Sequence, residues 1–326
     1  MLYLLFSDSA AKWIAFFGLI LAFLLTCFLL KTLQNILPRD GGRAFAVNGA
    51  LSQGKPRGAG IVFVLVFCVM SLLFVPFEKE LFKELAIYLI MLAAAMLSGY
   101  LDDSSKTPWG EYKKGLIDLV IAFVCAYSYV NYNGSDMTII LSGTTFTLPK
   151  IVYIILAMIL IWVSINVTNC TDGVDGLCGS VAIISLMSFF VLFRSVLSNA
   201  MYGQLCLLMV ICLLGYLWFN ASPSKLLMGD AGSRALGLLL ALLSLKSGRP
   251  LVYLIFCLVF LVDGGIGLVK VALLRFLKIK ILKNTRTPLH DHARKNAGWS
   301  DTQTVFRFLI LQTVLSCAYL YVVMYQ

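Results

Sequence analysis

Long, unbroken apolar runs separated by short polar gaps dominate the chain. Ten segments are apolar enough to span a bilayer: roughly 13–30, 60–77, 81–101, 115–132, 148–165, 177–193, 201–219, 234–247, 250–274 and 304–325. The yardstick is the roughly 20 residues a helix needs to cross the hydrocarbon core. The runs are continuous rather than alternating, which predicts helices and argues against the strands of a β-barrel. The ninth run contains Asp263-Gly264-Gly265. A spanning helix can break there only if protein or a cavity shelters the freed carbonyls. The first run lacks a basic leading segment and a small-residue cleavage site, so it reads as a permanent span. The pattern therefore predicts an all-α integral membrane protein with ten transmembrane helices, the ninth broken, forming one polytopic domain over 1–326.

Composition closes off other classes. Of the 326 residues, 60% are hydrophobic and 13% charged, whereas soluble domains carry about 45–50% and about 25%. Neither a soluble fold nor a disordered chain fits. The nine Cys are scattered without a CxxC pair, so they read as reduced and structural rather than as a disulfide or zinc framework. Most of the 26 Lys and Arg fall in the alternate gaps at about 31–59, 102–114, 166–176, 220–233 and 270–307. The positive-inside rule places those gaps in the cytosol and both termini on the extracytoplasmic side. A net charge of +10 then needs no nucleic acid, because a basic collar at the membrane surface accounts for it.

The polar chemistry gathers on the same side. Asp102-Asp103 ends the third run. Adjacent carboxylates repel, so the pair points to a cation or a shared proton, with a solvated helix end as the plainer alternative. Asn166-Val-Thr-Asn169-Cys-Thr-Asp172-Gly173-Val174-Asp175-Gly176-Leu follows the fifth run. It is richer in amides, acids and glycine than a connecting loop requires. Asn220-Ala-Ser-Pro-Ser-Lys225-Leu-Leu227-Met228-Gly229-Asp230-Ala-Gly232-Ser233 puts Asp230 near a helix start, where it can cap the helix, bind a metal or do both. Asp263 either holds the broken span together or faces a substrate groove. Arg275-Phe-Leu-Lys278-Ile-Lys280-Ile-Leu-Lys283 alternates basic and apolar residues, as a segment lying on an anionic leaflet would. His290 and His292, the only histidines, flank Asp291 near Arg286, Arg294 and Lys295. Zinc would need further ligands. A donor cluster for phosphate, with hard Mg²⁺ on carboxylates, fits the oxygen-rich set better.

In this order and on this topology, the motifs resemble the polyprenyl-phosphate N-acetylhexosamine-1-phosphate transferases, over about residues 50 to 310. The marks are the Asp-Asp pair, the run at 166–177, Phe-Asn-Ala-x-Pro at 219–223 and Met-Gly-Asp-x-Gly-Ser at 228–233. The tail, Pro288-Leu-His290-x-His292 with Gly-Trp-Ser at 298–300 and Arg307-Phe308, is most similar to the phospho-N-acetylmuramoyl-pentapeptide transferase branch. The chain departs from the branch in places. Asp291 stands where the branch has a middle histidine, and Leu227 stands at an aromatic position. Gly54-Lys55-Pro-Arg57-Gly-Ala-Gly60 replaces Gly-Thr-Pro-Thr-Met-Gly-Gly. The resemblance implies a bacterial cytoplasmic-membrane enzyme, expected as a homodimer, whose cytosolic site moves phospho-N-acetylmuramoyl-pentapeptide from UDP to undecaprenyl phosphate. UDP-GlcNAc as donor is the nearer alternative, and a lipid or nucleotide-sugar transporter the more distant one.

It also implies the expected roles. Asp102, Asp103, Asp230, His290 and His292 are the catalytic set, with Mg²⁺ on Asp230 assisted by Asp103. Asp102 orients or deprotonates the lipid phosphate. The substrates are expected at Lys55, Lys113 or Lys114, Asn166, Asn169, Asp172, Gly173, Val174, Asp175, Asn220, Leu227, Met228 and Arg294.

The topology is directly testable. In a Cys-free variant, single Cys at Ser52, Ser105, Ser222 or Asn296 should resist an impermeant thiol reagent on intact cells. Cys at Ser135, Ser198 or Gly248 should be labelled. Labelling of any two of the first group would overturn the one-sided arrangement.

Overall fold

The computed structural model describes residues 11–42, 52–76, 81–105, 107, 109–139 and 142–325. Residues 43–51, 106 and 108, within two of the gaps read as cytosolic, lie outside the described residues. The helices are α1 (Ala11–Leu33), α2 (Gly60–Phe74), α3 (Phe82–Asp103), α4 (Glu111–Asn133), α5 (Lys150–Thr171), α6 (Leu177–Val191), α7 (Ala200–Asn220) and α8 (Gly229–Lys246), then the short α9 (Tyr253–Phe256), α10 (Leu258–Phe260), α11 (Ile266–Ala272) and α12 (Leu289–Lys295), and finally α13 (Asp301–Met324). Among the described residues, seven helices are long and apolar enough to cross a membrane, or eight if the bent pair Pro250–Phe256 and Leu258–Leu277 is one span. The fifteen-residue α2 is short for a bilayer at about 1.5 Å per residue. The eighteen residues of α8 include Asp230, Arg234 and Lys246.

Among the described residues, one two-stranded ribbon departs from the expected all-α picture. Between α4 and α5, β1 (Asp136–Thr138) pairs antiparallel with β2 (Thr145–Thr147), and the Thr138 N–H donates to Gly248 O at 2.9 Å. The alternation of Thr with larger residues in Thr-Phe-Thr suits a short ribbon.

Several helices also run further than their apolar runs, α5 and α8 among them. The segment read as a gap from 166 is helical to Thr171, because nothing breaks the helix before Asp172-Gly173. Its polar side chains bond back to their own backbone: Asn166 Nδ2 donates to Trp162 O at 2.8 Å and Thr171 Oγ1 to Val167 O at 3.0 Å. Likewise α8 begins at Gly229 and includes Asp230.

The broken span is present, with a 74° bend, but the break falls at Cys257 (φ −127°, ψ 22°). Asp263-Gly264-Gly265 lies in a π-helical turn, Leu261–Gly265, six residues on. Gln312 of α13 meets the freed backbone, accepting from Val259 N at 3.1 Å and donating to Ile255 O at 2.9 Å. This is the internal satisfaction that irregular backbone at membrane depth requires.

At the centre stands α8, buried on every side from Gly229 to Leu245 and packed chiefly against α3 and α5. Its Arg234, 1% exposed, is held by an ion pair to Asp118 of α4. The N-terminal turn of α8 can approach its neighbours because they present glycine. A Cβ on Gly99 would lie 2.4 Å from the Asp230 backbone, and one on Gly60 would lie 2.0 Å from Gly232 N. Small residues at such crossings let membrane helices pack backbone to backbone.

Gly99→Val should therefore prise α3 from α8, costing about 1–3 kcal/mol or more by overpacking. A lower unfolding midpoint and reduced monodisperse yield in detergent would register it. Gly110→Ala, which meets nothing within 4 Å, should leave both unchanged.

Candidate active site at the ends of α3 and α8

Five pieces of chain meet at one end of the helix bundle. The last turn of α3 supplies Asp102 and Asp103, and the first turns of α4 and α8 supply Lys114 and Asp230. The last turn of α5 supplies Asn169. The fifth piece is the segment before α2. It is strapped to the α8 approach by Leu227 N to Pro56 O (2.8 Å), Ala59 N to Leu227 O (3.0 Å) and Gly60 N to Met228 O (3.0 Å). Asp40 N to Lys55 O (2.9 Å) and Arg57 N to Pro38 O (2.8 Å) fold that segment onto itself.

This strap aims Arg57 into the cluster. Its Nε lies 2.8 Å from Asp103 Oδ1, an ion pair rather than an aligned hydrogen bond. Its Nη2 donates to Asp230 Oδ1 at 3.0 Å and its Nη1 to Asp40 Oδ1 at 3.3 Å. Burial opposes the charge on Arg57, but Asp103, Asp230, Asp40 and Asp172 outweigh it and hold the guanidinium above the usual arginine range. Lys114 bridges the other side, pairing with Asp102 Oδ2 and reaching Asp230 Oδ2 at 3.4 Å. Asp102 Oδ1 accepts from Trp109 N at 2.8 Å, and Asp103 Oδ2 from Ala231 N at 3.3 Å. Asn169 donates to Asp230 Oδ2 at 3.4 Å and accepts from Ser233 Oγ at 2.9 Å. Met228, the N-cap residue of α8, offers no side-chain cap; Asp103 of α3 accepts from the first turn instead, and Asp230 points into the cluster.

A second group borders the first. His290, 2% exposed, has Nδ1 2.8 Å from Asp263 Oδ2, and its backbone N–H donates to Asp263 Oδ1 at 2.7 Å. Asp263 thus anchors the start of α12 to the broken span. The other ring nitrogen of His290 faces Gly173, where a Cβ would lie 2.2 Å from Nε2. A third group joins the two polar loops. Asp175 accepts from Ser224 N at 2.9 Å and lies 3.7 Å from Lys55 Nζ, which donates to Ser224 Oγ at 2.9 Å. Buried Asn220 accepts from Gly176 N and donates to Leu226 O, both at 2.9 Å.

The residues expected from the sequence divide accordingly. Asp102, Asp103, Asp230, Lys114 and Asn169 form one cluster, with Asp172 in electrostatic reach of Arg57. Gly173 and His290 are neighbours, while Val174 is buried. Lys113 lies outside the cluster, 3.3 Å over the Trp109 ring. Asn166 bonds its own helix. His292 Nδ1 accepts from Arg286 N at 3.3 Å, and Arg294 is spent on Asp301 (2.7 Å) and Asp291 (3.7 Å). Leu227 and Met228 contribute backbone to the strap. Sequence reasoning missed Asp40 and the centrality of Arg57. The cation-rich departure at Gly54–Gly60 was the available signal.

The acids outnumber the bases in the cluster: Asp40, Asp102, Asp103 and Asp230 meet Arg57 and Lys114. A divalent cation matches that surplus, and hard carboxylate oxygens are the donors Mg²⁺ prefers. Among the described residues, no group of three or more His, Cys, Asp or Glu is arranged to hold a metal by protein ligands alone. The fit is therefore to the Mg²⁺ mode in which one or two carboxylates share the ion with substrate phosphates.

A membrane-embedded helical bundle with an acidic, cation-braced cluster at one end is a setting for phosphate chemistry on a lipid. Comparison with known proteins narrows the class. The model of the family described as glycosyl transferase family 4 matches residues 85–248. The phospho-N-acetylmuramoyl-pentapeptide-transferase of Treponema pallidum (strain Nichols) is 40% identical over 313 residues, covering 90% of this chain and 85% of the relative. The protein of that name from Dictyoglomus turgidum is 27% identical over 304 residues, covering 93% and 96%. The one from Clostridioides difficile (strain 630) is 27% identical over 270 residues, covering 81% and 82%. The chain belongs to glycosyl transferase family 4, and within it is similar to the phospho-N-acetylmuramoyl-pentapeptide-transferases.

Proposed function

We propose that this protein transfers phospho-N-acetylmuramoyl-pentapeptide from UDP-MurNAc-pentapeptide to undecaprenyl phosphate, releasing UMP and forming lipid I for peptidoglycan synthesis. The similarity to proteins of that name supports the substrates. The observation that carries the chemistry is the convergence of Asp102, Asp103 and Asp230 with Arg57 and Lys114 where apolar helices end. In the reaction an oxygen of the lipid phosphate forms a bond to the sugar-bearing phosphorus. The bond from that phosphorus to the bridging oxygen breaks, and UMP leaves with that oxygen.

Catalysis of such a transfer is chiefly positioning and charge neutralisation. Asp230 and Asp103 would hold Mg²⁺, which neutralises charge on the diphosphate when bound. Lys114 and Arg57 supply positive charge beside the same carboxylates. His290, held by Asp263 at Nδ1, presents Nε2 toward the Gly173 backbone as the acceptor nitrogen of the ring, suited to receive a sugar hydroxyl. Asp102 acts here as a positioning residue: both its oxygens are engaged, one by Lys114 and one by Trp109 N, so it fixes the lysine rather than taking a proton.

The proposal includes the ten-span topology, with α2 and α8 as the shorter spans and the bent pair as one. It places both termini outside and the site at the cytosolic face of a bacterial cytoplasmic membrane. The exposed apolar faces of α1 and α13 suit lipid or a second copy, and the proposal includes a homodimer.

Purified protein incubated with radiolabelled UDP-MurNAc-pentapeptide, undecaprenyl phosphate and Mg²⁺ should yield a lipid-extractable product, whereas UDP-GlcNAc should not. Asp230→Asn should lower the rate by about 10²-fold or more, the scale of losing one well-placed charge-stabilising group. No lipid product from the first donor would refute the assignment.

The role of Asp102 has its own test. A phosphomonoester has a second pKa of about 6, so a general base would matter most at low pH. As a positioning residue, Asp102→Asn should instead lower the rate by the same factor at pH 6.5 and pH 9, at saturating substrates with chemistry rate-limiting. Partial recovery at high pH would return the proton to Asp102.

A further inference from the structure

The carboxylate pair to which the proposed function assigns the metal already holds a cation that belongs to the chain. Arg57 Nε faces Asp103 Oδ1 at 2.8 Å and Nη2 faces Asp230 Oδ1 at 3.0 Å. The remaining oxygens of the pair are taken as well, Asp103 Oδ2 by Ala231 N at 3.3 Å and Asp230 Oδ2 by Lys114 Nζ at 3.4 Å. The guanidinium lies between the two acids, so a divalent cation coordinated by both would have to take the oxygens that Arg57 now uses. Two cations side by side there would also repel across a few ångströms of partly desolvated protein.

Arg57 has somewhere else to go. Its Nη1 is bonded at 3.3 Å to Asp40, which does not belong to the pair. Asp40 is fixed independently: its Oδ2 accepts from Ser52 Oγ at 2.6 Å and Gly42 N at 3.2 Å, and its backbone N–H bonds Lys55 O at 2.9 Å. The side chain of Arg57 is 24% exposed while those of Asp40 and Asp103 are at most 1% exposed. Solvent therefore borders the arginine, as it borders Lys114, whose side chain is 28% exposed.

We propose that Arg57 is a built-in occupant of the Asp103–Asp230 pair that exchanges with the divalent cation, pivoting on Asp40 as it leaves. This rests on the proposed function for the placement of the metal, and it adds a consequence. Without substrate the arginine keeps divalent cations off the pair. When a nucleoside diphosphate arrives, its phosphates accept the released guanidinium, so cation and donor bind together. The protein then avoids holding a tightly bound metal with no substrate to share it, and affinity for one ligand is linked to affinity for the other.

The test measures metal binding with no substrate present. Mn²⁺ is titrated into wild-type protein, Arg57→Gln and Arg57→Lys in detergent, with free Mn²⁺ followed by electron paramagnetic resonance. Arg57→Gln should bind Mn²⁺ at least tenfold more tightly than wild type. Arg57→Lys should show a smaller gain, since a lysine cannot span the carboxylates with a planar fork. Asp230→Asn added to Arg57→Gln should remove the gain. If neither single variant binds Mn²⁺ more tightly than wild type, Arg57 is a permanent brace and the exchange is wrong. If Arg57→Gln does not elute as a monodisperse species, Arg57→Lys decides by the same criterion. A wild-type enzyme that makes lipid product while neither variant gains affinity leaves the proposed function standing and removes only this inference. The opposite pattern does the reverse.

Discussion

Everything at the candidate site follows from the cost of keeping carboxylates together where helices leave the membrane. Asp102, Asp103, Asp230 and Asp40 are shielded from water, and like charges in a poorly solvated setting repel strongly unless cations share the space. The chain meets that cost with two cations from different directions: Arg57 from the segment before α2, and Lys114 from the start of α4. Each bridges acids from separate elements, so the positions of α3, α4, α8 and the loops are tied by charge as well as by packing. Removing one partner from such a set leaves an uncompensated charge, which costs more than the pair itself contributes.

The balance is deliberately incomplete. A cluster whose acids outnumber its bases is held together well enough to fold and still attracts more positive charge. Two ion pairs inside the helix bundle do not have this character. Arg234 with Asp118 inside the bundle, and Lys246 with Glu84 at the far end of α8, are one-to-one pairs buried among neighbours. The contrast sets the cluster apart from those two braces, with Asp263–His290 between them as an anchor that leaves one ring nitrogen facing out of the pair.

What could be read from the sequence was what the membrane makes expensive. Asp102-Asp103 and Asp230 stand out because ionisable groups at the ends of apolar runs are costly and therefore usually functional. Arg57 and Asp40 sit in a polar gap where charge costs little, and only the fold reveals that they meet acids far along the chain. The same limit explains the misplaced boundaries. Asn166 and Thr171 look like loop residues, yet their side chains bond the preceding turn and the helix continues. The glycines flagged the broken span, but the break falls at Cys257, where Gln312 from α13 can take the freed backbone groups. Which partner is available is a tertiary fact. The resemblance to a transferase family supplied the reaction, while Lys114 rather than Lys113 as the lysine within the cluster needed coordinates.

Helix direction adds the last constraint. Two acids at the C-terminus of α3 oppose the partial negative charge that a helix carries there, so by itself that helix end is poorly designed. It becomes favourable because Arg57 and Lys114 pair with the acids and α8 begins beside them. The first turn of α8 exposes N–H groups and partial positive charge, and Ala231 N donates to Asp103. For that donation the two helices must cross almost backbone to backbone, and Gly99 opposite Asp230 permits it. The close crossing and the acidic cluster are therefore one feature: widening the first exposes the carboxylates of α3 to their own helix end, and neutralising the second removes the reason for the crossing to be so tight.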